Sequence, residues 1–174
     1  MFGVQLYITH SDELREEVTP VVNDPESFYR QKPTGGFWTS SYREESQDSD
    51  WVDWCRGENF SDPDTMNWWL LTPHADCKLY TIRSLKGFNR CLMEYGSPVP
   101  LAQEYPSFAA KRVIDFERLA LEYDGLHLTE RGNQETHLSY PNNLNAWDAE
   151  STLWFRWRFT QIEKISPATM KISS

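Results

Sequence analysis

Cysteine is scarce in this chain of 174 residues: Cys55, Cys77 and Cys91 are the full set, odd in number and without a C-x-x-C pair. No histidine stands near them at metal-ligand spacing, so neither a zinc centre nor a disulfide framework is indicated. Three free thiols in a reducing compartment are expected, binding no metal and forming no internal bridge. Long apolar runs are missing as well. Nowhere do about 18 uninterrupted apolar residues suggest a membrane span. The opening MFGVQLYITHSDELREE carries neither a basic leader nor a long apolar stretch, so no signal peptide is read there. The chain reads as cytoplasmic, with no membrane partner.

Several catalytic signatures are absent too. There is no nucleophile elbow, P-loop or dinucleotide glycine fingerprint. Asp48, Asp50, Asp53, Asp62 and Asp64 are scattered and lack calcium-loop spacing. Without a repeat, a low-complexity tract or a linker, residues 1–174 read as one domain. Basic residues are outnumbered, 17 Lys and Arg against 26 Asp and Glu, for a formal net charge of −9. That charge repels phosphate backbones and disfavours non-specific nucleic-acid binding.

Aromatic rings are in excess, at 14% of residues with 8 Trp. Most should be core, yet rings are also available as stacking platforms. Alternation and β-rich composition predict strands at 4–9 (within GVQLYIT), 36–42, 78–82, 124–129 and 151–159. The last, STLWFRWRF, sets Leu153, Phe155, Trp157 and Phe159 against Trp154, Arg156 and Arg158, and is the clearest strand signal. Helical spacing predicts helices over 84–95 and 111–123 and a helical turn at Trp51–Trp54. SDELREEV, with Ser11 as N-cap, suits a short helix. WWLLT from Trp68 fits either a strand or the end of a buried helix. Residues 19–32 read as a loop or broken helix, 97–107 as a connection and 130–146 as a polar, Asn-rich segment, and His127 reads as the solvent side of its strand. The whole is a mixed α+β domain with two small sheets, mixed or antiparallel, and a few helices.

One stretch does not read as scaffolding. In KPTGGFWTSSY, residues 32–42, Gly35 and Gly36 bare the backbone and Phe37, Trp38, Thr39, Ser40 and Tyr42 follow with rings and hydroxyls. The bland reading is a turn leading into a core strand. The sharper one is a ligand lying against the bare backbone, with a ring stacked on its planar part.

Three pieces taken in order sharpen this: LYITH ending in Thr9 and His10, then Trp38-Thr39-Ser40, then Glu150 immediately before the last strand. The arrangement resembles the ADP-ribosyltransferase family. The resemblance implies an ADP-ribosyltransferase-like fold in which the first element holds NAD, the second supports the nicotinamide ribose and the Glu directs the transfer. NAD is then the substrate, with ADP-ribose passed to an unidentified acceptor or to water. Glu150 is implied as the catalytic carboxylate. Thr9, His10, Gly36, Trp38, Thr39, Ser40 and Tyr42 are implied as NAD-binding, with Trp38 or Tyr42 stacking on nicotinamide. His10 closes its strand rather than lying inside it. Asp148 stands two positions before the Glu, where arginine-modifying members often carry an acidic residue or Gln, and its shorter side chain leaves the acceptor open.

Cleaving the nicotinamide–ribose bond passes through an oxocarbenium-like species, as glycoside cleavage does. A carboxylate beside the ribose stabilises that charge. At the edge of a strand, Glu150 is expected to carry little packing. A second reading is a non-enzymatic, acidic and Trp-rich interaction protein, of the kind phages and bacteria use to block a partner protein. A third, a sugar-binding module or glycosidase, lacks a paired-carboxylate signal.

Overall fold

The structure is a computed structural model that describes residues 2–25 and 30–167. Part of the 19–32 connection and the last seven residues therefore lie outside the described residues. Within them the strands are β1 (Gln5–Thr9), β2 (Phe37–Ser41), β3 (Asn67–Pro73), β4 (Leu79–Ile82), β5 (Gly96–Pro98), β6 (Arg112–Ile114), β7 (Gly125–Leu128), β8 (Ser151–Trp154) and β9 (Phe159–Ile165). The helices are α1 (Asp50–Gly57), α2 (Leu85–Tyr95), α3 (Phe116–Glu122) and α4 (Glu130–Thr136). The α+β class stands, as one compact domain. The two small sheets do not: one seven-stranded sheet, ordered β4-β7-β8-β2-β1-β3-β9, is accompanied by the β5-β6 pair alone.

Only β4 and β7 run parallel in the large sheet; the other neighbours are antiparallel. Side chains alternate between its faces. Leu126, Leu128 and Leu153 bury against Phe88, Cys91 and Leu92 of α2 and Leu119 of α3. On the other face Trp154, Leu71 and Phe159 pack with Phe2 and Phe37. Three buried indoles each have a hydrogen-bond acceptor: Trp68 Nε1 donates to Pro63 O, Trp147 Nε1 to Gln31 O and Trp154 Nε1 to Thr39 Oγ1. That removes the cost of burying an indole N–H.

Several elements differ from expectation for local reasons. SDELREEV forms no helix: Ser11 Oγ accepts from the Glu13 N–H in a tight turn, and half of the segment is acidic. The predicted 111–123 helix starts late. Its β-branched Val113 and Ile114 join β6, and Asp115 caps α3 by accepting from the Arg118 N–H. The 151–159 strand is two strands. β8 ends at Trp154, and Arg156 and Arg158 turn to Asp124 at 3.3 and 3.4 Å before β9 pairs with β3. WWLLT resolves as β3. Thr129 caps an unforeseen α4 by accepting from the Gly132 N–H. No helix among the described residues is long and apolar enough to cross a membrane. The three cysteines are free, Cys55 and Cys91 buried and Cys77 half-buried.

Candidate functional site

The β2–β8 register pairs Phe37 with Trp154, Trp38 with Leu153 and Thr39 with Thr152. Carried two residues further, it sets Ser41 opposite Glu150. The carboxylate is not at an exposed edge: Glu150 is 6% exposed, which corrects the expectation that it carries little packing. Ser40 Oγ and the Ser41 N–H donate to Oε2, and Ser41 Oγ donates to Oε1, all at 2.8 Å. The Glu150 N–H donates to Asp50 Oδ2 at 2.7 Å, tying β8 to the first turn of α1. Burial pushes the Glu150 carboxyl above its ordinary value. The Ser41 and Ser40 hydrogen bonds oppose that shift, and Asp50 adds to it.

His127 also faces this carboxylate, with Nδ1 3.3 Å from Glu150 Oε1 and 2.9 Å from Thr152 Oγ1. Its alternation with Leu126 and Leu128 predicts a solvent-facing side chain, but every residue of β7 is buried. β7 lies between β4 and β8, and the Phe2 ring meets His127 edge-on, centroids 4.9 Å apart. Burial, then the nearby Arg83 charge, hold the imidazole down at about 4, against a backbone hydrogen bond at Ser151. At neutral pH the ring is therefore uncharged, and its 3.3 Å contact with Glu150 is not an ion pair.

A cleft opens beside this network. β1 and β2 pair only at Gln5–Ser41 and Leu6–Ser40, whereas β1 and β3 pair along all of β1. Past that short junction lies a cavity of about 290 Å³, walled by Leu6 and Ile8, Trp38 and Ser40, Trp51, Trp147, Lys32 and Asp148. Trp38 and Trp147 meet edge-to-face with centroids 4.8 Å apart. The Lys32 ammonium lies 5.4 Å above the Trp38 ring and 3.8 Å from Asp148. Burial lowers the Lys32 pKa, and Asp148 works against that lowering. Hollows of about 570 and 490 Å³ elsewhere on the described surface carry none of these groups, and one of about 170 Å³ shares only Lys32, so chemistry rather than size singles out this one.

The residues singled out from sequence divide accordingly. Trp38, Thr39 and Ser40 line the cleft, and Glu150 stands directly behind Ser40. The Thr39 hydroxyl, however, is committed elsewhere: it donates to Gln5 Oε1 at 2.7 Å and accepts from Trp154 Nε1 at 2.9 Å. Tyr42 packs with Leu6, Val52 and Trp68, away from the cavity wall. Gly36 has φ +76°, and a Cβ there would meet Leu153 Cδ1 at 2.3 Å and Val21 Cγ1 at 3.2 Å. Its bareness admits the core, not a ligand. Thr9 ends β1 and His10 follows it, about 13 and 16 Å respectively along the chain from Gln5, which pairs with Ser41. His10 is exposed there. Sequence reasoning missed His127, Trp51, Trp147 and Lys32. The alternation of Leu126, His127 and Leu128 signalled a strand but not its cover, and no local pattern brings Trp147 to Trp38.

Comparison with protein-family models, curated proteins and solved structures finds no match for this chain.

Proposed function

We propose that this protein binds NAD in the β1–β2 cleft and cleaves its nicotinamide–ribose bond, passing ADP-ribose to an acceptor or to water in the manner of an ADP-ribosyltransferase-like domain. The observation that carries the reading is Ser40, a residue of the Trp-walled cavity whose hydroxyl donates to Glu150 Oε2 at 2.8 Å. A ribose hydroxyl laid against Ser40 is one hydrogen bond away from the carboxylate. Glu150 then supplies negative charge close to where the ribose develops positive charge, in surroundings from which water is largely excluded. Trp38, Trp51 and Trp147 offer ring faces and edges for the nicotinamide.

The sheet order supports the same reading. The three segments that carry the resemblance fall on β1, on β2 and at the start of β8, and those strands are neighbours in the order β8-β2-β1. Thr9 and His10 lie far from Glu150, so His10 has no part in the bond cleavage. The test is calorimetric titration with NAD together with an assay of nicotinamide release. Binding that is lost when Trp38 or Ser40 is replaced, with release that depends on Glu150, supports the proposal. A folded protein with neither binding nor release overturns it and favours the partner-binding alternative.

A further inference from the structure

His127 is a buried titratable group that the cleft chemistry above does not use. Its side chain is 9% exposed and that of Glu150 is 8% exposed, so bulk water shares little of their contact. An unprotonated Nδ1 would point its lone pair at a carboxylate oxygen 3.3 Å away, and at short range in a low dielectric those two are repulsive. A hydrogen on Nδ1 can bond Thr152 Oγ1 at 2.9 Å and turns the 3.3 Å approach to Glu150 Oε1 into attraction. The edge of the Phe2 ring limits how far the imidazole can turn away.

We propose that His127 is a positioning residue for Glu150, locked as the neutral Nδ1–H tautomer that fixes Oε1 while Ser40 and Ser41 fix Oε2. Its effect on catalysis rests on the NAD reading above, but its geometry does not. The charged groups facing the pair are Asp50 from α1 and Arg83 just past β4. Asp50 opposes ionisation of Glu150, and Arg83 opposes protonation of His127. The ring is therefore kept as a neutral donor, and donors are what a buried carboxylate needs to stay charged.

Nitrogen-15 correlation spectra of the imidazole show which ring nitrogen carries the proton. A carbon-13 titration follows the Glu150 carboxyl, its signal assigned by its loss in Glu150→Gln. Wild type, His127→Asn and His127→Phe are compared. The proton is expected on Nδ1. In His127→Phe the Glu150 titration midpoint should rise, and in His127→Asn, whose amide nitrogen takes the place of Nδ1, most of the rise should be undone. Nicotinamide release should follow, with kcat about tenfold lower or more in the Phe variant, KM little changed and the Asn variant largely rescued. A proton on Nε2, or one Glu150 midpoint shared by the folded variants, overturns the proposal. If His127→Phe does not fold, the wild-type tautomer and the Asn variant still decide. Absence of release from wild type overturns the NAD reading alone, since the tautomer and the titration are read without substrate.

Discussion

Ser41 holds Glu150 at both oxygens, its backbone N–H on Oε2 and its hydroxyl on Oε1, each at 2.8 Å. One of those donors belongs to the backbone of β2, so the carboxylate is fixed by strand register and not only by side-chain rotamers. Charge set in place before the reaction costs no reorganisation during it. The cost falls on folding instead, because a buried carboxylate loses its hydration.

Glu150→Gln should separate those two effects. The amide keeps the shape: with its carbonyl oxygen in the place of Oε2 it still accepts from the Ser41 N–H and the Ser40 hydroxyl, and the Ser41 hydroxyl can rotate to accept from its NH2 group in the place of Oε1. Relief from burying a charge offsets part of what is lost, so stability should change by about 1 kcal/mol. Nicotinamide release should fall by roughly two to three powers of ten, the effect of losing about 3–4 kcal/mol of electrostatic stabilisation. Assays at matched folded fraction check both. Equal release rates in the two proteins remove Glu150 from the mechanism.

The acid side of the stability curve should carry the mark of His127. In the unfolded chain it titrates near 6.5, and in the folded protein near 4. Below pH 6.5 the unfolded chain therefore takes up a proton that the folded protein refuses. Stability falls as pH drops from 6.5 to 4 and levels off below that, by about 3 kcal/mol at most. Glu150 acts in the opposite sense: with its folded pKa raised, it takes up its proton before the unfolded chain does. The net slope is the difference between the two. Urea denaturation midpoints from pH 7 to 4 should fall less steeply in His127→Phe than in wild type, and parallel curves would refute this assignment.

How much of this was legible depends on the range of the forces involved. Strands β1, β2, β4 and β7 and helix α2 follow from side-chain spacing and local caps, such as Ser84 accepting from the Gly87 N–H at the start of α2. The break between β8 and β9 was not legible, because Asp124, which draws Arg156 and Arg158 aside, is about thirty residues away in sequence. Likewise Gly36 has the positive φ of a ligand-approach glycine, yet Leu153, which occupies the space, is brought there by strand pairing. Glu150 and Ser40 were legible as chemistry. Their contact with each other depends on register, which no spacing rule supplies.

Thr39 is the residue whose expected role changes most. Thr39→Val keeps the shape but removes the hydroxyl that joins Gln5 Oε1 to Trp154 Nε1. Two buried polar groups then lack a partner, so a loss of about 3 kcal/mol is expected, visible as a lower urea midpoint with an unchanged slope. NAD affinity of the folded fraction should stay within about twofold, because the missing group does not point at the ligand. Weakened NAD binding without loss of stability would return Thr39 to the ligand-binding set.

Trp38 is the residue on which ligand affinity should depend most. Its ring lines the cavity between the Lys32 ammonium and the edge-packed Trp147, so one substitution tests the whole wall. It is only half-buried, at the margin of the core cluster that holds α2 and α3, so Trp38→Ala should cost some stability yet leave a folded protein. Stacking of a base or a nicotinamide on an aromatic ring is worth about 1–3 kcal/mol, which corresponds to a rise in Kd for NAD of about fivefold to 150-fold. Trp38→Phe keeps a smaller face and should lose less, whereas a loss due only to general destabilisation would track the urea midpoint instead. Trp147→Phe provides the control, because its Nε1 donates to Gln31 O at 2.8 Å and its removal should cost stability before affinity. Calorimetric titration of the three variants with NAD, each shown to be folded by near-ultraviolet circular dichroism, reads the order directly. An unchanged Kd in a folded Trp38→Ala would show that the cleft wall is not where the ring sits.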